Sequence, residues 1–384
     1  MNIYCVVAGD HPTAFVKDSG MLPYYLHLLT DYDVFFVSHV PPLSEQNNER
    51  KESYERVQGM KCIYVPCKNK KLFHGYTWAT MWWIWKNAKK IDILHLWWLQ
   101  AVLPVWLYKI RNPKGIVWKK CDLGISPLHN RMPPMNTFMG KLKNKIIEFT
   151  IKHYTDCLTA ESTMTVEYLQ NRYTSCKEKI KYLPSGVDDI WLQKHNILPY
   201  PYEKKENLII HVARLGTAQK NTEFLLECME KTQWQKDWKI IAVATYPGMT
   251  PEFAPKLEAF FEKNSHLRHR LQVSGELTQQ ELFGYYQRAK IVCCTSVWES
   301  FGLFIVEGLS MGDYVLTTPI CTAPDFIQGG CGVEVQTPDE MASFLSSVMA
   351  DETTLHEAYP RVLEHAKDFY WSNIIKTLQQ YANE

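Results

Sequence analysis

Residues 291–312 read IVCCTSVWESFGLFIVEGLSMG, and the change of rhythm inside them decides the kind of sheet this chain builds. Ile291–Cys294 is an apolar run without alternation, as in a strand buried on both faces of a parallel sheet. A short polar turn, Glu299-Ser300-Phe301-Gly302, follows, and then an apolar run of helical spacing that carries Glu307. Gly302 lets the turn bend where a side chain would collide, and it leaves the N–H groups of Gly302 and Leu303 free at the helix start. Such an end binds phosphate. Glu299 at the strand end and Glu307 on the helix are then placed to accept hydrogen bonds from hydroxyls on either side of that phosphate, one of a sugar and one of a ribose.

Outward from this stretch the same alternation continues in both directions. Further strands are expected at 208–212, 238–244, 271–273, 314–317 and 332–335, with helices at 222–230, 279–288 and 304–311. The first half repeats the plan, with apolar runs at 3–8, 33–37, 62–65, 93–96, 116–118 and 157–159. Two open parallel sheets with helices on both faces follow from this, and ligands of such sheets bind at the carboxyl ends of the strands, here in a cleft. A polar, proline-containing stretch, 195–207, reads as the region joining the two halves. The last segment, 369–381, opens with Trp371 and has helical spacing.

The 384 residues suit two domains of common size, with 46% hydrophobic and 22% charged residues and a net charge of only +1. That total conceals an asymmetry. Residues 1–186 hold 25 Lys+Arg against 15 Asp+Glu and the remainder 17 against 26, so the halves carry +10 and −9. A basic first half suggests an anionic acceptor or a membrane surface, while the total gives no support for nucleic acid. Eleven Cys without a C-x-x-C pair or zinc spacing indicate reduced thiols and a cytoplasmic compartment, and no metal is expected. The chain starts on a strand-like run, so no signal peptide is expected, and 94–108 is too short and interrupted to span a bilayer.

A second constellation, HVARLGTAQKN (211–221), closes the first strand of the second sheet. Arg214 and Lys220 lie there on a loop before a helix, where both cations can meet a diphosphate, and fixed cations favour the charge that gathers as a nucleoside diphosphate leaves. With the Glu299 to Glu307 spacing, this loop makes the chain resemble the family-4 retaining glycosyltransferases of the GT-B fold, whose marker is E-x7-E. YLPSGVDDIW (182–191) is similar to that family's hinge box, SGELTQQEL (274–282) to its base-contacting segment, and DCLTAESTMTVEYL (156–169) to the last strand and helix of its first domain.

The resemblance implies two Rossmann-like domains facing across a cleft. Residues 1–186 would form the acceptor side, with 366–384 crossing back onto it, and 187–365 would bind a nucleotide-sugar donor, a UDP-sugar favoured and a GDP-sugar possible. It implies that Glu299 holds sugar hydroxyls, Glu307 the ribose, Arg214 and Lys220 the diphosphate, and the backbone near Leu277 the base. Phe301, Gly302 and Leu303 would line the donor, and no metal or cofactor would be needed. In the family's first glycine pair only Gly20 matches, within Asp18-Ser19-Gly20-Met21. Trp97 and Cys121 stand where relatives often carry His. The acceptor-side candidates are Asp122, which reads either as a cap or as a group orienting an acceptor hydroxyl, and His11; His95 reads as a satisfied buried histidine.

The acceptor implied is a glycan or a lipid-linked sugar, as in polysaccharide or glycolipid assembly. Basic residues interleaved with Trp78, Trp82, Trp83 and Trp85, and again with Met139, Leu142, Ile146 and Phe149, read either as helices packed on the first sheet or as a peripheral membrane face. A nucleotide-sugar 2-epimerase and a non-catalytic nucleotide-sugar-binding subunit are the competing functions. The turn at 8–12, which lacks G-x-G-x-x-G, speaks against a dinucleotide oxidoreductase.

Overall fold

The computed structural model describes residues 1–7, 15, 17–39, 57–68, 72–73, 75–126, 132–245 and 248–383, without the side chains of 380–383. The turn at 8–12, His11 included, lies outside the described residues. Two compact units emerge: Met1–Leu123, Arg131–Ser185 and Trp371–Glu384 form the first, and Gly124–Asn130 with Gly186–Tyr370 the second. The stretch 195–207 does not join them. It lies within the second unit, between Asp189–Lys194 and the strand that begins at Leu208.

In the first unit, β1 (Asn2–Val6), β2 (Asp33–Ser38), β3 (Lys61–Tyr64), β4 (Ile93–Trp97), β5 (Ile116–Cys121), β6 (Cys157–Ala160) and β7 (Ile180–Tyr182) form a parallel sheet in the order β3-β2-β1-β4-β5-β6-β7. Their inner residues are apolar because helices cover the sheet; Val6, Leu94, Leu96 and Val117 belong to one buried cluster. The crossovers include α1 (Asp18–Leu29), α2 (Trp78–Asn87), α3 (Leu103–Arg111), α4 (Phe138–Tyr154) and α5 (Thr163–Arg172). Thr77, Thr137 and Ser162 start α2, α4 and α5 by accepting the N–H groups of Thr80, Gly140 and Thr165, caps worth about 1 kcal/mol each.

The second unit opens with α6 (Asp189–Lys194) and then alternates strictly: β8 (Leu208–Ala213), α7 (Thr222–Lys231), β9 (Lys239–Ala244), α8 (Phe253–Lys263), β10 (Leu271–Ser274), α9 (Gln279–Arg288), β11 (Ile291–Cys294), α10 (Leu303–Ser310) and β12 (Tyr314–Thr317). After α11 (Ala323–Phe326) and β13 (Gly332–Glu334) come α12 (Pro338–Ala350) and α13 (Thr353–Ala366). The sheet order is β10-β9-β8-β11-β12-β13, entirely parallel, with all six residues of β8 and all four of β11 buried. Strand order reverses between β8 and β11, where Ile209 pairs Ile291 and His211 pairs Cys293. At such a switch the connections leave in opposite directions and open a crevice at the carboxyl ends. The final helix, α14 (Trp371–Asn383), belongs to the first unit: Trp371 is wholly buried, its ring 6.2 Å from that of Tyr25 on α1.

Candidate functional site

At the carboxyl end of β8 the chain turns through Arg214 to Asn221, and at that of the neighbouring β11 it turns through Thr295 to Gly302. These two loops are stitched together by their backbones. Val297 N–H donates to Gln219 O (2.8 Å), and the Thr295 hydroxyl donates to Lys220 O (2.8 Å). Gly216, at φ +81, allows the tight approach on the β8 side: a Cβ there would come within 2.2 Å of Phe253 Cβ.

Side chains then converge. The Lys220 ammonium forms a short ion pair with Glu299 Oε1, and the Ser296 hydroxyl donates to the same oxygen (2.5 Å). Gln219 Nε2 reaches Glu299 Oε2 (3.5 Å) and Trp298 O (3.0 Å), while its Oε1 accepts from Arg214 Nη2. Lys220 Nζ also lies 5.2 Å from the centre of the Phe304 ring. Glu299 is only 7% exposed, so a guanidinium, an ammonium and a carboxylate meet in one partly desolvated chain. In that setting each charge acts more strongly than in open water.

The turn also prepares a helix start. Gly302 caps α10 with φ +100, a conformation open to glycine and strained for other residues, and it offers no side chain to the first turn. Ile305 N–H bonds back to Gly302 O (2.9 Å). Among the described residues the Leu303 N–H has no partner, so it stays available at the positive end of the helix. The loop is pinned from below: the Thr322 hydroxyl donates to Phe301 O (2.7 Å), and Cys321 Sγ lies 3.2 Å from Glu299 O.

The sequence-derived residues are therefore brought together only in part. Arg214, Lys220, Glu299, Phe301, Gly302 and Leu303 share the β8/β11 switch. Glu307 is one turn further along α10 and accepts a hydrogen bond from the Tyr286 hydroxyl (3.1 Å), whose pKa burial, then Glu307, pushes well up. Leu277 is half-buried just after β10, the edge strand two places from β8. Gly20 belongs to the first unit and to a helix rather than a loop: its N–H already donates to Lys17 O (3.0 Å) in the first turn of α1. Gln219 and Ser296 escape sequence reasoning, although Gln219, directly before Lys220, is a long polar side chain in the same loop.

The first unit carries a different cluster at its strand ends. Lys120, fully buried on β5, pairs with Glu161 (3.0 Å) just beyond β6 and donates to Leu183 O (3.1 Å), and the Ser185 hydroxyl donates to Glu161 (2.5 Å). Burial raises the Glu161 pKa against the pull of Lys120, and the charges of Asp122 and Asp18 push the same way. Asp122 itself is exposed. His95 is buried as expected yet unsatisfied: among the described residues neither ring nitrogen has a partner, and burial, helped by Lys120, lowers its pKa to about 3. Exposed apolar residues gather on two helices of this unit, Trp78 and Trp82 on α2 and Phe138, Met139, Leu142 and Phe149 on α4. No helix among the described residues is long and apolar enough to cross a membrane.

Two parallel-sheet Rossmann-like units with this connectivity define the GT-B class, and its glycosyltransferases are the chain's structural neighbours. HepE of Anabaena in complex with UDP superposes with a TM-score of 0.73 at 14% identity, covering 100% of both chains. The apo form of the lipopolysaccharide outer core galactosyltransferase WaaB gives 0.67 at 16% identity, covering 99% of this chain and 98% of that one. Residues 206–351, the greater part of the second unit, match the family model described as glycosyl transferases group 1. An uncharacterized glycosyltransferase of Methanocaldococcus jannaschii is 25% identical over 219 residues, 53% of this chain and 54% of that one, so the match spans about half of that relative's length.

Proposed function

We propose that the chain is a retaining glycosyltransferase that holds a nucleotide-sugar, a UDP-sugar by preference, at the β8/β11 switch and transfers its sugar to a glycan or lipid-linked acceptor. The observation that carries the reading is the meeting of Arg214, Lys220, Glu299 and the α10 start at that one switch. The UDP in the Anabaena neighbour and the galactosyltransferase name of the WaaB neighbour point the same way. On this reading Lys220 and Arg214 meet the diphosphate, with the Leu303 N–H as a further donor. Lys220 then shares its charge between phosphate and Glu299, which turns its second oxygen to sugar hydroxyls. Glu307 receives the ribose.

Bond breaking between the anomeric carbon and the diphosphate puts negative charge on the departing oxygen, and these donors stabilise it without reorganising. The departing diphosphate takes up the acceptor proton on the same face, so the configuration is retained and no metal is called on. Asp122 and the Lys120–Glu161 pair, at strand ends of the first unit, are the acceptor-side candidates. The exposed Trp and Phe residues of α2 and α4, interleaved with lysines, would rest on an anionic membrane that presents a lipid-linked acceptor.

A thermal-shift and calorimetric series with UDP-, GDP- and ADP-sugars tests the donor, followed by release of the nucleoside diphosphate with and without acceptor extracts. Selective stabilisation by one nucleotide-sugar is expected. Absence of binding by any of them removes the reading, and conversion of donor to an epimer without acceptor replaces it with the epimerase.

A further inference from the structure

The opposite end of the second sheet holds another polar site. An open recess of about 430 Å³ lies where the chain enters β8, β9 and β11, lined by Lys236, Lys239 and Lys290 together with Glu206, Asn207, Asp237 and Glu352. Strands of four to six residues separate it from the Arg214–Lys220–Glu299 cluster, roughly 15–20 Å at the usual rise per residue. The volume is within the range of small-molecule pockets.

Its floor is built rather than incidental. The Lys290 ammonium, buried, donates to Asn207 Oδ1 (2.7 Å) and Glu352 Oε2 (2.6 Å) and lies 5.3 and 5.6 Å from the rings of Tyr202 and Trp238. The Tyr202 hydroxyl donates to Glu352 as well (3.2 Å). Beneath them Lys205 is wholly buried on Asp313 (2.7 Å), and among the described residues neither the second Asp313 oxygen nor the buried Trp238 Nε1 has a partner. At the lip, Lys236 holds φ +48, a strained backbone for a lysine, and Arg270 fixes it by donating to Lys236 O (2.8 Å).

The lip cations are only loosely engaged. Lys236 Nζ is 3.3 Å from Glu352 and Lys239 Nζ 3.6 Å from Glu206, and both side chains are about half exposed. An arriving anion can therefore recruit both ammonium groups at little cost in existing pairs. Lys205 is spent on Asp313, and the remaining three lysines face three carboxylates, so an arriving anion is drawn by the local clustering of the Lys236 and Lys239 ammonium groups at the lip rather than by a net charge. The carboxylates keep acceptor oxygens for hydroxyls: the Asn207 amide holds Asp237 below the usual range, and Lys290 and Lys236 outweigh burial in doing the same for Glu352. Clustered ammonium groups beside hydroxyl acceptors match a phosphate ester on a small polyol, better than they match a bare anion or a neutral sugar.

We propose that this recess is a second ligand site, taking the monophosphate ester of a small polyhydroxylated molecule, and that it is separate from the donor cluster. The probe is glucose 6-phosphate, titrated calorimetrically into the full chain beside inorganic phosphate and glucose, with UDP as the control for the other end of the sheet. Saturable binding of glucose 6-phosphate is expected, tighter than inorganic phosphate and with glucose silent. The exposed pair Lys236→Gln/Lys239→Gln is expected to weaken it at least tenfold while UDP binding is unchanged. Equal affinity for inorganic phosphate overturns the polyol part, and absent binding, or binding untouched by the double substitution, overturns the site. UDP failing to bind while glucose 6-phosphate still does would instead strike the proposed transferase and leave this site standing.

Discussion

Replacing Lys220 by Ala separates the two things this lysine does. In the resting protein it neutralises Glu299, the two side chains being 12% and 8% exposed. Without it Glu299 keeps the Ser296 hydroxyl at 2.5 Å and Gln219 at 3.5 Å, so the carboxylate is weakened in its support but not abandoned. Loss of one partner of a hydrogen-bonded charge costs about 1–3 kcal/mol, well inside the 5–15 kcal/mol typical of a folded domain. The variant therefore folds. On the proposed function the lysine faces a growing charge in turnover, and removing one fixed donor of that kind costs about 3–4 kcal/mol, which is 10²–10³ in kcat. The intact donor carries less charge on the bridging oxygen, so KM is expected to rise much less than kcat falls. Urea unfolding by circular dichroism gives the first number, and nucleoside diphosphate release over a range of donor concentration gives the second. A folded Lys220→Ala protein with kcat/KM within threefold of the wild type would refute the assignment.

Glu307→Gln keeps the Tyr286 contact in shape but removes the charge that a ribose hydroxyl would use, and about tenfold weaker nucleotide binding by calorimetry is expected with folding intact. Gly302→Ala forces a Cβ into φ +100, and a loss of about 1–2 kcal/mol in urea unfolding is expected together with weaker donor binding. His95→Phe replaces two unpartnered buried nitrogens by apolar edges and is expected to stabilise the chain by about 1–3 kcal/mol. It also alters the acid limb: with its pKa lowered to about 3 by burial, folded His95 stays neutral while the unfolded chain binds a proton below the ordinary imidazole value of 6.5. Stability is thus complete above pH 6.5 and lost as pH falls towards 3, and the variant should show a shallower loss over that window. Flotation with anionic liposomes at low salt is expected to carry the protein, with release at high salt; no flotation at low salt ends the membrane reading.

Much of the architecture was legible because a parallel sheet covered by helices demands unbroken apolar runs, and Ile291–Cys294 or Leu208–Ala213 satisfy that demand within a few residues. β7 was not legible: Ile180-Lys181-Tyr182 is three residues long at a sheet edge, too short for any period. Residue type located Lys220 and Glu299 on their loops, but their ion pair depends on β8 and β11 being neighbours, which no local pattern records. Gly20 entered only through its match to the family's first glycine pair, and that match did not reveal that the chain is already helical there, with the Gly20 amide used in the first turn of α1. Lys120 and Glu161 lie 41 positions apart, and the empty hydrogen-bond valences of His95 are a property of packing alone.

The two sheets share one strand order through their first six places yet differ in the charge they present at their carboxyl ends. In the second unit Arg214 and Lys220 flank one carboxylate, and the α10 start adds a bare amide, so the switch favours an anion. In the first, burial pushes both Asp18 and Glu161 towards their protonated forms, the one buried ammonium, Lys120, opposes this, and the charge of Asp122 adds to it. A diphosphate brought there would meet carboxylates that are already reluctant to ionise, which costs energy in a setting of low dielectric. A hydroxyl group meets the same carboxylates as acceptors and pays no such cost. On the proposed function, charge therefore suits the β8/β11 switch to an anionic donor and the strand ends around Glu161 to a neutral hydroxyl, each judged within its own sheet.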